Sequence, residues 1–301
     1  MRNAGVLLGL TVLGAAVTAG YAQGPGAQTD KSLQEIRTYE QESEKNSGGA
    51  WWRLAILYQD AARFGDAERA YGNALELMGS GDPVALANVM DCMGTMYVQT
   101  GRFAEGEQLE RKALAIRQEQ KDSLGVGLSW MHLAMLSMGK HDVGDAELYA
   151  ELAVDRLGAD DRENMATGVQ KMTALTYLAL ARCSARKCEH AMAPLKKAMR
   201  IAEAGSPRKS FPISYLQFLE GYVNWKRGDR RDAGKLMKVG TEGMKVQLGW
   251  GHPTLVLAMR QYEDFLIESK RTSEAMEVHE ALIRLAGTQA IAGTVSGIAW
   301  E

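Results

Sequence analysis

Apolar residues recur at helical spacing along most of the chain, in stretches separated by short polar or glycine-containing turns. Trp51, Leu54, Ala55 and Tyr58 are spaced so that one helix face would carry all four side chains. A short turn follows at residues 62–65, and a second amphipathic stretch begins directly after it. Two helices joined by so short a turn must pack antiparallel. The pattern predicts a fold made of helix–turn–helix pairs.

The helical pairs recur at a regular period, which is marked by a small residue near the start of each second helix. A small residue at this position lets the two helix backbones approach closely. The six positions are Ala67, Gly106, Ala146, Ala191, Ala233 and Ala275, with spacings of 39, 40, 45, 42 and 42 residues. Such a period is typical of repeat proteins, in which each unit buries its apolar face against the next. A compact helical bundle is the alternative fold, but a bundle needs no fixed period.

The first unit resembles the tetratricopeptide repeat. Its sequence Trp51-x-x-Leu54-Ala55-x-x-Tyr58, followed by Ala67-x-x-x-Tyr71, is similar to the pattern of that family nearly position for position. The spacings near 42 residues and the run LGWGHP at 248–253 resemble the kinesin-light-chain type of this repeat. The resemblance covers residues 48–286. It implies an all-α fold, a right-handed superhelical α-solenoid of about six helix–turn–helix repeats.

Both ends of the chain lie outside the repeat pattern. Arg2 precedes an apolar stretch, and small residues precede a possible cleavage site ahead of Gln23. This pattern predicts a secretory signal peptide over residues 1–22, with an uncleaved membrane anchor as the alternative. Residues 23–47 are predicted to be a flexible polar lead-in, with one short candidate helix at 33–44. Residues 287–301 are predicted to be a mobile tail.

Charge and motifs argue against several classes of function. The formal net charge of −2 gives no electrostatic footprint for nucleic acid. The sequence has no phosphate-binding loop and no nucleophile elbow, and none of its five histidines lies in a metal-binding motif or pairs with a cysteine at zinc spacing. We therefore expect no enzyme activity and no catalytic, metal or cofactor site.

Two of the three cysteines, Cys183 and Cys188, lie on either side of the turn in the fourth unit. A disulfide between them is a reasonable expectation in an exported protein, although the loop that it would close is very short. Two free thiols are the alternative.

The resemblance also implies a binding surface, because in the tetratricopeptide family the first helix of each pair lines a concave groove. The matching positions here are Trp52, Ile56, Asp91, Met131, Met135, Met138, Leu180, Tyr215, Phe218, Tyr222, Trp225, Arg260 and Asp264. The three methionines would form an adaptable apolar stripe, and the four aromatic residues from Tyr215 to Trp225 a ladder of anchors. The alternative is that both stripes belong to the core.

These features predict a non-enzymatic protein–protein interaction scaffold or assembly factor of the cell envelope, in a bacterial periplasm or secreted. No membrane span is expected once the signal peptide is removed. The groove lacks the paired basic residues that grip a C-terminal carboxylate, so the expected ligand is an apolar or amphipathic segment of a partner protein. The sequence does not determine the oligomeric state.

Two other functions remain open at this point. One is a soluble receptor for a small ligand or glycan that uses the aromatic ladder. The other is a hydrolase or transferase on a helical scaffold, for which the candidate residues Asp91, Arg260, Asp264 and Glu268 are divided among distant units.

Overall fold

The chain is all-α wherever its structure is described. The computed structural model describes residues 28–43, 47–61, 63–79, 81–158, 165–205, 210–250 and 252–291. These ranges contain thirteen α-helices, one short 3-10 helix at Cys188–His190 and no strand. The α-helices are α1 Gln28–Ser43, α2 Gly48–Asp60, α3 Phe64–Met78, α4 Pro83–Gln99, α5 Phe103–Glu119, α6 Ser123–Gly139, α7 Val143–Gly158, α8 Met165–Ser184, α9 Met192–Gly205, α10 Phe211–Lys226, α11 Arg230–Leu248, α12 Pro253–Glu268 and α13 Thr272–Ile291.

Helices α2 to α13 follow the chain order of the six predicted helix–turn–helix pairs, beginning with α2 and α3. Local sequence explains where the first helix of a pair begins. Ser47, Asp82 and Asp122 precede α2, α4 and α6, and their side chains accept hydrogen bonds from backbone N–H groups of the first turn. Helices α10 and α12 instead begin with a proline in the first turn, where the missing N–H is not needed. The prediction of about six helical repeats is confirmed.

The described residues divide into two compact units, 28–181 and 182–291. In the first unit, small residues of the second helices are completely buried, including Ala67, Ala113 and Ala146. Helices α2 and α4 pack on both sides of α3, and Leu54, Tyr71 and Met96 lie in the core that the three helices share. Stacked pairs therefore share one continuous apolar interior, as expected for a repeat protein.

In the second unit, α10 is the central helix and packs against α9, α11 and α12. The approach of α11 is very close, because two glycines face the neighbouring backbone. A Cβ atom added at Gly221 would lie 2.8 Å from the Ala233 carbonyl oxygen, and one at Gly240 would lie 2.5 Å from the Phe218 nitrogen. Ala233, one of the six small residues that mark the repeat period, thus lies at a close contact between two helices.

Helix α1 overlaps the short helix that was predicted at residues 33–44 within the polar lead-in, and it begins earlier, at Gln28. Ile36 on this helix is only 3% exposed and belongs to the same core as Leu54. The Tyr58 hydroxyl donates a hydrogen bond of 2.6 Å to Glu40 of α1. Tyr39 also packs against this core, so Ile36, Tyr39 and the hydrogen bond of Glu40 together dock a mostly polar helix against the first repeat.

Helix α13 continues to Ile291, so residues 287–291 are helical rather than part of a mobile tail. Glycine weakens a helix by about 1 kcal/mol relative to alanine, and a single Gly287 does not stop this one. The predicted signal peptide at residues 1–22 and the rest of the predicted tail lie outside the described residues. Among the described helices, none is both long and apolar enough to cross a membrane.

Candidate functional site

The predicted methionine stripe is buried. Met131, Met135 and Met138 are 5%, 3% and 5% exposed, so they do not line an open groove. Helix α6 is apolar around most of its circumference, and eleven of its 17 residues are buried. The Tyr177 hydroxyl of α8, for example, lies 3.6 Å from the Met135 sulfur. The alternative interpretation, that the stripe is core, is correct here.

The predicted aromatic ladder is buried as well. Tyr215, Phe218, Tyr222 and Trp225 are between 3% and 7% exposed. The Trp225 ring meets Phe265 of α12 edge to face at 5.8 Å, and its indole N–H donates to Glu268 at 2.9 Å. The first helix of the last repeat, α12, therefore covers the Trp225 end of the ladder, and α11 packs against Phe218. The repeat position of α10 is as predicted, but packing by the next repeat leaves its aromatic face closed.

The other predicted groove residues differ in exposure. Asp91 and Leu180 are buried, Arg260 is exposed and Asp264 is partly buried. Trp52 and Ile56 of α2 are partly buried and pack against the core with one side.

Cys183 and Cys188 form a disulfide, and Cys92 is a free thiol whose pKa burial raises to about 12.

A partly accessible surface remains on the first helices of the first three repeats. Helix α4 packs against both α2 and α6. A hydrogen bond of 3.1 Å from Gln59 to Gln99 joins α2 to α4 one repeat apart. We call this surface the first-helix row; its partly buried members are Trp52, Ile56, Asn88, Thr95 and His132. It combines two apolar side chains with polar ones, an arrangement suited to an amphipathic ligand.

A buried cluster of charged residues lies beneath the first-helix row. Its centre is Arg117 of α5, which is 1% exposed. One guanidinium nitrogen donates to Asn88 at 2.8 Å and to the Asp91 carboxylate, and the other donates to Ser129 at 2.7 Å and to the Gly125 carbonyl at 3.1 Å. A buried arginine is stable only when it is paired and hydrogen-bonded in this way.

Three other polar groups of this cluster meet beside Arg117. The His132 Nδ1 atom of α6 lies 3.1 Å from Glu110 Oε1 of α5 and 4.0 Å from Asp91 Oδ1 of α4. Asp91 Oδ1, both Glu110 oxygens and His132 Nδ1 are buried, and among the described residues none of them has a hydrogen bond of regular geometry while both carboxyl groups are ionised. A hydrogen bond between the Asp91 and Glu110 carboxyl groups requires that one of them is protonated. Glu110 is completely buried and Asp91 is 6% exposed. Consecutive repeats thus bring three unsatisfied ligand atoms together.

Burial dominates the protonation behaviour of this cluster. It raises the pKa of Glu110 to about 7 and raises the pKa of Asp91 well above its usual value, and the nearby Glu110 carboxylate raises the Asp91 pKa further. Burial also lowers the pKa of the His132 imidazole. All three shifts disfavour the charged form of the group, as expected when charge is removed from water.

Sequence reasoning included Asp91 but missed Glu110, Arg117 and His132. The three possible ligands are 19 and 22 residues apart on separate helices, so no motif of short spacing joins them. One signal was available: Glu110 and Arg117 occupy the same face of α5 as the buried Ala113 and Leu114. Charged residues on the apolar stripe of a helix indicate a buried polar cluster.

The fold is the tetratricopeptide-type repeat fold, an α-solenoid class of helix–turn–helix repeats, and solved structures establish this likeness. The apo form of RapI is similar with a TM-score of 0.67 at 13% identity, covering 85% of this chain and 95% of that one. The TPR-like repeats of a putative kinesin light chain from Podospora anserina are similar with a TM-score of 0.53 at 17% identity, and the match covers 69% of this chain and 98% of that one. A Rap protein complexed with competence and sporulation factor is similar with a TM-score of 0.57 at 12% identity, and the match covers 81% of this chain and 77% of that one. No protein-family model matches the sequence, and no curated protein matches it.

Proposed function

We propose that this chain is a non-enzymatic protein-interaction module that binds an apolar or amphipathic segment of a partner protein. The observation that carries the proposal is the first-helix row, where Trp52 and Ile56 remain partly accessible beside polar side chains. A tryptophan at the centre of an interface supplies a large share of its binding energy. Because the methionine and aromatic stripes are buried in the core, they are not accessible to a ligand. We therefore assign the binding surface to the first helices of repeats 1 to 3.

Comparison with solved structures supports this function through one neighbour. That Rap protein was solved in complex with competence and sporulation factor. Its helical repeats share the fold of this chain, and the proposal transfers to this chain only the general capacity to bind another chain on such a scaffold. The glycan-receptor alternative depended on the aromatic ladder, whose burial removes its support.

Binding should be tested with the mature protein, residues 23–301, immobilised and incubated with a cell-envelope fraction. The double variant Trp52→Ala, Ile56→Ala removes the two apolar members of the first-helix row. The matched control is Leu148→Ala, Leu152→Ala, which removes two exposed leucines from α7, a second helix. We expect the first variant to lose at least 10-fold in affinity for a captured protein, equivalent to about 1.4 kcal/mol, while the control binds as wild type.

Circular dichroism should show native helicity for both variants. Equal binding by all three proteins would contradict the assignment of the ligand to the first-helix row. Failure of the wild type to capture any defined protein would contradict the interaction function itself.

We also propose that the protein works outside the cytoplasm, in the cell envelope. The signal-like pattern of residues 1–22 and the Cys183–Cys188 disulfide support this location, because disulfides persist in oxidising compartments. The test is to express the full chain in a bacterium, fractionate the cells and determine the N-terminal residue. Gln23 as the first residue of a periplasmic or secreted product is the expected result. Full-length protein retained in the cytoplasm would contradict the proposal.

A further inference from the structure

The cluster beneath the first-helix row has the composition and size of a metal site. Asp91, Glu110 and His132 each offer a ligand atom, and these atoms all lie within 4.8 Å of one another. Ligand atoms bound about 2.1 Å from one tetrahedral ion lie about 3.4 Å apart. The 3.1 Å between His132 and Glu110 agrees with that spacing, and the 4.0 Å between His132 and Asp91 needs only a small side-chain rotation.

The lack of hydrogen-bond partners in this cluster needs an explanation. A buried carboxylate without a partner is very unfavourable, and native proteins seldom keep one. Both Glu110 oxygens, Asp91 Oδ1 and His132 Nδ1 are in this condition among the described residues. These are also the atoms that converge. A proton shared by the Asp91 and Glu110 carboxyl groups would leave His132 Nδ1 without a partner, whereas a cation among the three residues would satisfy all of them at once.

Arg117 supports the same interpretation. Its guanidinium binds the other oxygen of Asp91 and so orients Oδ1 toward Glu110 and His132. Such a partner for a ligating carboxylate is the usual second layer of a metal site. Asp122 Oδ2 lies 3.9 Å from the Nε atom of the same guanidinium. Arg117 is thus shared by Asp91 and Asp122, and its single charge cannot neutralise Glu110 as well.

We propose that Asp91, Glu110 and His132 bind a divalent transition-metal ion. Two carboxylate oxygens and one imidazole nitrogen suit Zn²⁺, Mn²⁺ or Co²⁺ better than soft ions that prefer sulfur. The ion enters past His132, whose side chain is 19% exposed whereas that of Glu110 is completely buried. Since the ligands belong to α4, α5 and α6, the ion fastens the second repeat to the third directly beneath the first-helix row.

The test uses the full-length mature protein without a polyhistidine tag, stripped of metal with a chelator and then titrated. Isothermal titration with Zn²⁺ and with Mn²⁺ should give one ion per chain for at least one of them. Co²⁺ should produce a visible absorption band from a site that includes nitrogen. At a 100-fold excess over its dissociation constant, the ion should raise the melting temperature by on the order of 5 °C.

Two variants, the isosteric Glu110→Gln and the polar replacement His132→Gln, should each weaken binding on the order of 100-fold and abolish the melting shift. Glu110→Gln removes a buried unpaired charge while keeping the side-chain shape, so this variant should fold. Two controls should bind as wild type. His279→Gln disrupts a surface histidine–glutamate pair that lacks a third ligand, and Cys92→Ala removes the nearest thiol.

Two results would overturn the proposal. One is wild-type protein that binds neither Zn²⁺, Mn²⁺ nor Co²⁺ at millimolar concentration, which would leave a proton shared by Asp91 and Glu110 as the occupant. The other is binding that survives both ligand variants, or that only the control variants lose. If one ligand variant does not fold in metal-free buffer, the other decides the question by itself.

Discussion

At the residue scale, the turns inside the repeats share one backbone feature. Gly101 and Gly228 adopt positive φ values of 74° and 88° directly after a first helix. His141, Arg186 and Lys270 occupy the same position in other repeats with φ values near 60°. A left-handed residue is the usual end of a helix, and only glycine adopts it without steric strain. Glycine indicates a left-handed turn in the sequence, so the turns at Gly101 and Gly228 could be predicted. The other three could not, because no residue type marks a left-handed conformation at His141, Arg186 and Lys270.

Replacing Lys270 with glycine should stabilise the protein. A non-glycine residue in the left-handed region costs about 1–2 kcal/mol, and the extra backbone entropy of glycine offsets part of this gain. We therefore expect Lys270→Gly to raise the free energy of unfolding by about 0.5–1 kcal/mol, as measured in urea. Gly228→Ala is the reverse control and should lower it by about 1 kcal/mol. An unchanged or lower stability of the glycine variant would show that this turn carries no strain.

Ion pairs from equivalent glutamates, each directly after the small residue of its second helix, join neighbouring repeats. Glu68 of α3 pairs with Arg102 of the next turn at 2.8 Å, and Glu107 of α5 pairs with Lys140 at 2.6 Å. The Lys140 hydrogen bond holds the pKa of Glu107 below its usual value of 4.5. A carboxylate with a lowered pKa stabilises the folded state at pH values above its unfolded pKa. That contribution disappears as the pH falls through the folded pKa.

Glu107→Gln should therefore destabilise the protein at pH 7, and the loss should become smaller when the pH is lowered to 3. The pair is partly exposed and screened by solvent, so we expect a loss of no more than about 0.5 kcal/mol at pH 7. Urea unfolding of both proteins at the two pH values measures the difference. A loss of equal size at both pH values would mean that Glu107 acts through packing rather than through its charge.

At the scale of the element, the close contacts between the two helices of a pair could be predicted from the sequence. The burial of the remaining helix faces by neighbouring helices could not. The six small residues recur because each pair needs two backbones in contact, so local spacing alone revealed them. Burial of Phe218 and Trp225 depends on α11 and α12, which are separate elements farther along the chain. A helix-spacing argument describes one helix at a time, and it could not show which of its faces a neighbour covers.

Gly221→Ala should be strongly destabilising. The added Cβ would lie 2.7 Å from the Met237 nitrogen and 2.8 Å from the Ala233 carbonyl oxygen, and backbone atoms cannot move aside as a flexible side chain can. We expect a loss of about 2–3 kcal/mol by thermal or urea unfolding. Gly72→Ala in α3 is the matched control, since its Cβ would meet open space. Its helix propensity should instead raise stability by up to about 1 kcal/mol.

Helix α1 offers a direct contrast between a docked and a flexible lead-in. Ile36→Ala should lower the free energy of unfolding by about 2–4 kcal/mol if the side chain is in the core as the structure places it. Arg37→Ala, on the exposed side of the same helix, should change it by less than about 0.5 kcal/mol. Equal, negligible effects of the two substitutions would restore the flexible lead-in that the composition suggested.

At the scale of the whole molecule, the number of repeats could be predicted but their grouping could not. Periodicity describes neighbours one repeat apart, and it is the same on both sides of residue 181. The grouping of residues 28–181 and 182–291 into separate compact units depends on tertiary contacts within each. The buried cluster around Arg117 escaped prediction for the same reason, because its members meet only after α4, α5 and α6 have packed.

Hydrogen exchange should report this grouping. Repeat proteins pass instability mainly to adjacent units, so a local defect has its largest effect where it lies. In the Gly221→Ala variant we expect the loss of amide protection, measured by mass spectrometry, to concentrate in residues 182–291. In Ile36→Ala it should concentrate in residues 28–181, with the largest loss in α1 and α2. An equal loss along the chain in both variants would mean that all six repeats unfold as one cooperative unit, and the two compact units would then have no energetic counterpart.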